Sequence, residues 1–152
     1  MKKVIAFIFF AYIVIYILPL NVRPMIIPDE TRYAEIAREM IETGNWISPR
    51  LDGLRYFEKP ILGLWLNAIS IKLFGENAFA IRLPSALAVG LSAIILFFLI
   101  LRITNESKRA VIASCVFLSC FEIYIIGTFS VLDSVFSMFI TAIMLFLFMQ
   151  KY

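Results

Sequence analysis

Four long apolar stretches, separated by charged segments, set the pattern of this sequence. Three of them carry no charged residue, and the third along the chain carries only Glu122. Each is close to the ~20 residues that a helix needs to cross a bilayer. We therefore predict four transmembrane helices, over residues 4–20, 83–101, 110–127 and 134–149. A cleaved signal peptide is the alternative for the first, but no small-residue cleavage site follows it.

The long segment between the first two apolar stretches, residues 21–82, holds most of the charge and is predicted to be a loop at the membrane surface. Over residues 29–43, apolar positions recur with the 3.6-residue period of a helix and charged residues fill the other face. Such a helix is suited to lie in the membrane interface, and Gly44 supplies its end. A second helix is predicted over 60–74, opened by a proline and ended by Gly75.

The topology depends on whether segment 60–74 crosses the membrane. Fifteen residues at 1.5 Å each give about 22 Å, which is short of the ~30 Å hydrocarbon core. Basic residues also tend to stay in the cytoplasm. If the segment does not cross, the basic residues beside the spans all lie on the side of the N-terminus (Lys2, Lys3, Arg102, Lys108, Arg109 and Lys151). We therefore predict a cytoplasmic N-terminus and an outward-facing loop 21–82.

Composition supports a membrane protein and narrows its chemistry. The 152-residue chain is 62% hydrophobic and 16% charged, with a mean hydropathy of +0.92, whereas soluble domains are about a quarter charged. A net charge of +3 from scattered residues excludes a nucleic-acid partner, and there is no histidine. Cys115 and Cys120 would lie about 140° apart around a helix. We predict that they pack as small apolar residues and form neither a metal site nor a disulfide.

Four charged residues fall near helix starts on the predicted outer face: Asp29, Glu58, Lys59 and Asp133. A helix N-terminus favours an ionised carboxylate, and such a group can orient or deprotonate an acceptor or stabilise a cationic sugar centre. A lysine can hold a phosphate as a point charge. Each residue also has a structural interpretation, because the aspartates can be helix caps and Glu58 and Lys59 a solvated pair. The residues alone leave these alternatives open.

Glu122 is a separate case because it lies within a predicted span, toward its outer end. An acid inside a membrane is costly and is a functional candidate for that reason. Near the headgroups the same side chain reaches water and needs no function. Both interpretations stand.

Four sequence blocks carry a resemblance to a known family: PDETRYA at 28–34, TGNW at 43–46, RYFEKP at 55–60 and TFSVLD at 128–133. In this order they resemble the N-terminal part of the polyprenyl-phosphate-sugar glycosyltransferases related to protein O-mannosyltransferases. The likeness is greatest to the 4-amino-4-deoxy-L-arabinose transferases that modify lipid A. The resemblance covers essentially the whole chain.

The resemblance implies an all-α integral membrane protein that is the N-terminal part of a C-type glycosyltransferase fold. It implies about four transmembrane helices and two juxtamembrane helices in the first outer loop. By position, Asp29 resembles the catalytic aspartate, Asp133 the second functional aspartate and Lys59 the lysine near the donor phosphate. Glu58 resembles a metal-site or structural acid, so a divalent metal is implied by the resemblance alone. The secondary site candidates are Glu30, Glu58, Arg55 and Glu122.

The resulting hypothesis is part of a glycosyltransferase that moves 4-amino-4-deoxy-L-arabinose from undecaprenyl phosphate to lipid A at the outer face of the bacterial inner membrane. Its partners would be the lipid-linked sugar, the acceptor, membrane lipids and a complementing C-terminal polypeptide, because family members are several hundred residues long. We expect residues 1–152 alone to be inactive. One alternative is a related mannosyl- or glycosyltransferase that acts on protein or another glycan. The other is a non-catalytic membrane scaffold or binder of lipid-linked sugars.

Overall fold

The computed structural model describes residues 2–151, with side chains described for 3–150, and consists of helices apart from one short hairpin. The helices are α1 (Lys2–Tyr12), α2 (Asp29–Thr43), α3 (Ile61–Phe74), α4 (Ala78–Thr104), α5 (Ser107–Ser119), α6 (Phe121–Thr128) and α7 (Asp133–Lys151). The hairpin pairs β1 (Arg50–Leu51) with β2 (Leu54–Arg55). After α1 the helix continues as a π-helical turn, Ile13–Ile17, and a 3₁₀ turn, Leu18–Asn21.

Three helices in the described part of the chain are long and apolar enough to cross a membrane: Lys3–Asn21, Ala78–Thr104 and Asp133–Gln150. A fourth crossing is made if α5 and α6 count as one span, bent by 67° at a short break. α3 is apolar but too short, as its predicted length implied. The prediction of an all-α integral membrane protein with about four spans is confirmed.

α4 is the central helix, with α3, α5, α6 and α7 packed around it. It begins at Ala78, earlier than the span predicted from residue 83, because the Asn77 side chain caps it by accepting the Ala80 N–H at 2.9 Å. The helix therefore includes Arg82, which is fully buried. In the sequence, a charged residue such as Arg82 indicates the end of a transmembrane span. Here Arg82 is buried because it has the partners described below.

The predicted third span is not a continuous helix. The backbone leaves the helix at Cys120 (φ −65°, ψ 128°), and α6 starts anew at the next residue. The Tyr16 hydroxyl donates to the Leu118 carbonyl at 2.6 Å, so one carbonyl freed by the break has a partner, as backbone inside a membrane requires. Cys115 and Cys120 are free thiols, and Cys120 is exposed at the break. No proline or glycine marks this position.

The predicted amphipathic helix is confirmed as α2, which ends at Gly44 in the left-handed conformation (φ 68°) that glycine adopts without strain. Its apolar face packs on α3 and the hairpin through a buried cluster of Tyr33, Ile36, Met40, Tyr56 and Leu64. Trp46, Leu51, Trp65 and Leu132 pack around that cluster. α2 and α3 therefore form one unit with the start of α7, because Leu132 immediately precedes α7.

Candidate functional site

The charged residues of the two surface helices meet where α2 and α3 begin. Asp29 is the first residue of α2 and its side chain is 59% exposed. The nearest guanidinium nitrogen of Arg32, one helical turn later, lies 3.9 Å from an Asp29 carboxylate oxygen. Glu58 and Lys59 are exposed just before α3.

The charged groups near the starts of α2 and α3 influence the pKa values of Arg32 and Tyr33. The pKa of the Arg32 guanidinium is raised, first by the adjacent Tyr56 hydroxyl and then by the negative charges of Asp29 and Glu58. The pKa of the Tyr33 hydroxyl is raised by burial, although the positive charge of Lys59 opposes this. Asp29, Glu58 and Lys59 therefore act on the same two neighbouring side chains of α2, Arg32 and Tyr33. We call Asp29, Arg32, Tyr56, Glu58 and Lys59 the charged cluster.

Tyr56 is the buried member of the charged cluster. Its hydroxyl makes no hydrogen bond of normal length and angle to any residue that the structure describes, although the Arg32 guanidinium lies beside it. Its backbone N–H donates to the Pro49 carbonyl at 2.9 Å, which holds the residue at the end of the hairpin. Sequence reasoning missed both Arg32 and Tyr56. The available signal was their place in the blocks that contain Asp29 and Lys59.

Glu30, the residue after Asp29, is 1% exposed. Its two carboxylate oxygens accept five hydrogen bonds, two of them from Arg82 at 2.7 Å each in a bidentate pair. The others come from Arg23 at 3.1 Å and from the backbone N–H groups of Ile26 and Ser130 at 2.9 and 3.0 Å. Burial raises the pKa of Glu30, but these donors outweigh it and lower the pKa to about 2. Glu30 is therefore a buried carboxylate that is ionised at neutral pH.

Arg82 gains further partners at the end of the first span. Its guanidinium donates to the carbonyl oxygens of Leu20, Arg23 and Pro24 at 2.6, 3.0 and 2.9 Å. These contacts satisfy a buried cation that would otherwise be strongly destabilising. Arg82 and Glu30 together thus join the end of the first span, α2 and α4, and we call this pair with Arg23 the buried junction.

The short loop before α7, residues 129–132, packs against the buried junction. Arg23 donates to the Thr128 carbonyl at 2.7 Å, and its guanidinium carbon lies 3.7 Å from the centre of the Phe129 ring. Ser130 donates its backbone N–H to Glu30, and its hydroxyl accepts from the Asn67 side chain at 3.2 Å. The loop is therefore fixed by both α2 and α3.

Asp133 follows this loop as the first residue of α7, and its side chain is exposed. Leu132, just before it, packs closely over Gly63 in the first turn of α3, where any β-carbon would overlap the leucine side chain. The start of α7 is thus held beside the start of α3, which Lys59 closely precedes. Asp133 makes no ion pair with any described residue.

Two secondary candidates are not members of the charged cluster. Arg55 is exposed on β2, opposite Arg50 across the hairpin. Glu122 is exposed in the first turn of α6, at the opposite end of that helix from Thr128. Glu30, the third, lies next to the cluster in sequence but is committed to the buried junction.

Among the described side chains, Glu58 belongs to no group of three or more carboxylates or thiols that lie close enough to share a metal ion. Within residues 3–150, the group of three carboxylates close enough to share an ion is Glu35, Glu39 and Asp52, on α2 and in the hairpin turn. Local bonds account for that group, since Arg38 pairs with Glu35 at 2.6 Å and Glu39 accepts the Gly53 N–H at 3.3 Å. We assign no step to a metal.

Comparison with known proteins identifies the family. The model of the dolichyl-phosphate-mannose-protein mannosyltransferase family matches residues 1–152. The chain belongs to this family. The family resemblance expected from the sequence blocks is therefore confirmed.

Several curated relatives are named as transferases of aminoarabinose from undecaprenyl phosphate. The chain is 49% identical over 133 residues to the undecaprenyl phosphate-alpha-4-amino-4-deoxy-L-arabinose arabinosyl transferase of Aeromonas hydrophila, which is 88% of this chain and 24% of the relative. It is 47% identical over 137 residues to the protein of the same name from Serratia proteamaculans, covering 90% of this chain and 24% of that one. The chain thus spans about a quarter of the length of these relatives.

Solved structures give the same picture for the fold. The crystal structure of ArnT from Cupriavidus metallidurans in the apo state superimposes with a TM-score of 0.92 at 28% identity, over 99% of this chain and 28% of that one. The crystal structure of the same protein bound to undecaprenyl phosphate gives a TM-score of 0.91 at 27% identity, over 97% and 27%. The expected N-terminal part of a C-type glycosyltransferase fold is confirmed.

Proposed function

We propose that this chain forms the N-terminal part of a glycosyltransferase that moves 4-amino-4-deoxy-L-arabinose from undecaprenyl phosphate to lipid A. The observation that carries the proposal is the charged cluster at the start of α2 and α3, in a fold that matches a protein crystallised with undecaprenyl phosphate. The names of the curated relatives support the sugar and the donor.

The donor phosphate is held by the cations of the charged cluster. Lys59 supplies a point charge, and Arg32 supplies a planar guanidinium that suits a phosphate group. The positive charges of Arg32 and Lys59 both act on the Tyr33 hydroxyl, where each opposes the rise in its pKa. The Tyr56 hydroxyl, which makes no hydrogen bond of normal length and angle to a described residue, lies beside Arg32 and provides a further donor there.

Asp29 orients or activates the acceptor. It is exposed, and its one ion pair, to Arg32, is long at 3.9 Å. A carboxylate in that state keeps free lone pairs for a substrate hydroxyl or acid group, as a general base requires. Asp133 shapes the sugar site or favours a cationic amino sugar by its charge.

The active site would face the outer side of the bacterial inner membrane. With four crossings, the cytoplasmic basic residues predicted from sequence share one side with the N-terminus, while α2, α3 and the loop before α7 lie on the other. Labelling single cysteines at exposed Glu42 and Glu106 with an impermeant reagent in intact spheroplasts tests this. We expect position 42 to react and position 106 to stay protected, and the reverse would overturn the orientation.

The family description favours a second candidate, a mannosyl transfer to protein. The two functions differ in their product. The assay uses a chimera in which residues 1–152 replace the matching segment of the Aeromonas hydrophila relative, in a strain that lacks its own enzyme. Lipid A that carries aminoarabinose by mass spectrometry supports the first function. Mannosylated protein with unmodified lipid A supports the second, and neither product supports a non-catalytic binder.

A matched pair of variants tests the donor site within this chimera. We expect Lys59→Gln to raise the KM for the lipid-linked donor and to lower kcat, because a cation on the phosphate is lost. Lys72→Gln removes the same charge from an exposed position at the far end of α3 and should leave both unchanged. Equal behaviour of the two variants would remove Lys59 from the donor site.

A further inference from the structure

We propose that Glu30 is a positioning residue that fixes the loop before α7, and with it Asp133, relative to Asp29. The inference rests on the proposed function for its catalytic meaning, but its geometry can be tested without any transfer. The two adjacent acids then have different tasks: Asp29 acts on the acceptor, and Glu30 positions the loop.

Glu30 is placed to do this because it binds both sides of the site. As the second residue of α2, it moves with Asp29, its neighbour in the chain. Its Oε1 atom accepts from the side chain of Arg82 at 2.7 Å and from the backbone N–H of Ser130 at 3.0 Å. Ser130 is three residues from Asp133. One carboxylate oxygen thus links the start of α2 to the segment that leads into α7.

The rest of the buried junction keeps that oxygen in place. Arg82 is held by three carbonyl oxygens at the end of the first span, so it cannot follow a displaced carboxylate without breaking those bonds. The bidentate geometry fixes the carboxylate plane as well as its position. A rotation of Glu30 would leave buried charges without partners.

The loop depends on such an anchor because residues 129–132 are not part of a helix or strand. Its other side-chain contacts include the Arg23 guanidinium over the Phe129 ring at 3.7 Å. The rest are between neutral groups, such as Asn67 with the Ser130 hydroxyl, Ser85 with the Val131 carbonyl at 3.0 Å, and Leu132 with Gly63. Glu30 supplies a charge-assisted bond, which is shorter and stronger as a class. Its loss should let the loop shift while leaving the surrounding helices assembled.

Gly63 and Leu132 provide a reporter of the loop position. A β-carbon placed at Gly63 lies 3.4 Å from the Leu132 β-carbon, close to the ~3.8 Å of a disulfide. A Gly63→Cys/Leu132→Cys variant, with both native cysteines changed to alanine, should therefore form a disulfide under mild oxidation in membranes. Its rate of formation measures how often the loop sits over α3.

We expect Glu30→Gln to slow this crosslink several-fold, whereas Glu42→Gln, which alters an exposed acid of the same helix, should not change it. In the chimera, Glu30→Gln should lower kcat by roughly 100-fold, the effect of an ångström-scale misplacement, with little change in the donor KM. Oxidising the engineered cysteine pair should restore much of the lost kcat. A purely stabilising role would alter expression without this kcat-specific loss and its rescue.

The outcomes separate the two proposals. An unchanged crosslinking rate in Glu30→Gln, or normal kcat despite slower crosslinking, overturns the positioning role. If the chimera makes no aminoarabinose-modified lipid A, the proposed function fails, while the crosslink still reports on the loop. Should Glu30→Gln not insert, the Glu30→Gln/Arg82→Gln double variant leaves no unpaired buried charge and gives the same crosslinking measurement.

Discussion

Asp29 and Glu30 are adjacent acids with opposite environments. The Asp29 side chain is 59% exposed and has one long ion pair, whereas the Glu30 side chain is 2% exposed and accepts five hydrogen bonds. In a helix, consecutive side chains point about 100° apart, so one faces the charged cluster and the other faces the buried junction. The same chemical group is thus available for a substrate at one position and fully engaged by the protein at the next.

Because of this contrast, Asp29 should be required for activity and Glu30 for folding. Asp29 can be changed with little effect on folding because water already solvates it. Glu30 cannot, because removing it leaves the Arg82 charge buried and unpaired. Substitution of Asp29 should therefore lower activity and leave stability unchanged, whereas substitution of Glu30 should lower both.

The largest expected effect is on activity at Asp29. In the chimera, Asp29→Asn should reduce transfer by roughly 10²–10⁴-fold, because an acid–base or orienting carboxylate is lost. The melting temperature in detergent should stay within the error of the wild type. Asp52→Asn makes the same change at another exposed aspartate and should leave transfer intact. Near-normal turnover of Asp29→Asn would show that Asp29 does not orient or activate the acceptor.

The second effect is on stability at Glu30. We expect Glu30→Ala to destabilise the protein by roughly 3–5 kcal/mol, the range for breaking a buried ion pair on one side. Urea or thermal unfolding in detergent measures this. The double variant Glu30→Met/Arg82→Met, which removes both charges, should be less destabilised than Glu30→Ala. If the double variant is less stable than Glu30→Ala, the loss of stability in Glu30→Ala does not come from an unpaired charge.

The third effect concerns pH. Folding lowers the pKa of Glu30 from 4.5 to about 2, so its stabilisation is fully present above pH 4.5 and is lost as the pH falls toward 2. At ~1.4 kcal/mol per unit this amounts to about 3 kcal/mol. The difference in unfolding free energy between wild type and Glu30→Gln should be constant from pH 8 to 5 and shrink below. A difference that titrates above pH 5 would contradict an ionised Glu30.

The smallest effect tests the contact between α3 and the loop. Gly63→Ala places a β-carbon in the space of the Leu132 side chain, which we expect to cost about 1–3 kcal/mol as an overpacked contact. Transfer should fall as well, because Asp133 follows Leu132. Gly63→Ala/Leu132→Ala restores the space and should recover part of both losses. Recovery of neither would show that this contact does not set the position of the loop.

The sequence predicted the elements better than it predicted their partners. The period of apolar residues determined α2, and the short length of α3 excluded it as a span, because both properties are local. The sequence places Arg82 outside the second span, because nothing near it in the chain indicates its buried partner, Glu30. The break at Cys120 has no local signal in the sequence, because no proline or glycine lies there. The Tyr16 hydroxyl that binds a carbonyl at the break comes from another span.

In the candidate site, too, the sequence predicted some residues and not the contacts between them. Asp29, Glu58 and Lys59 could be placed together because each precedes or begins a surface helix on the same predicted face. The blocks that contain them also hold Arg32 and Tyr56, but nothing in their spacing indicates that the hairpin turns Tyr56 toward Arg32. That approach depends on the Asp52-Gly53 turn, where both residues have positive φ (52° and 77°) and the two strands fold back on each other.

The hydrogen bond from Tyr16 to Leu118 also bears on how the protein is made. A ribosome synthesises the first span long before the third, so the hydroxyl is already in the membrane when the bent helix pair arrives. The carbonyl at the bend then finds its donor on a helix that is already in place. We therefore expect Tyr16→Phe to delay maturation to a protease-resistant form more than it lowers final stability.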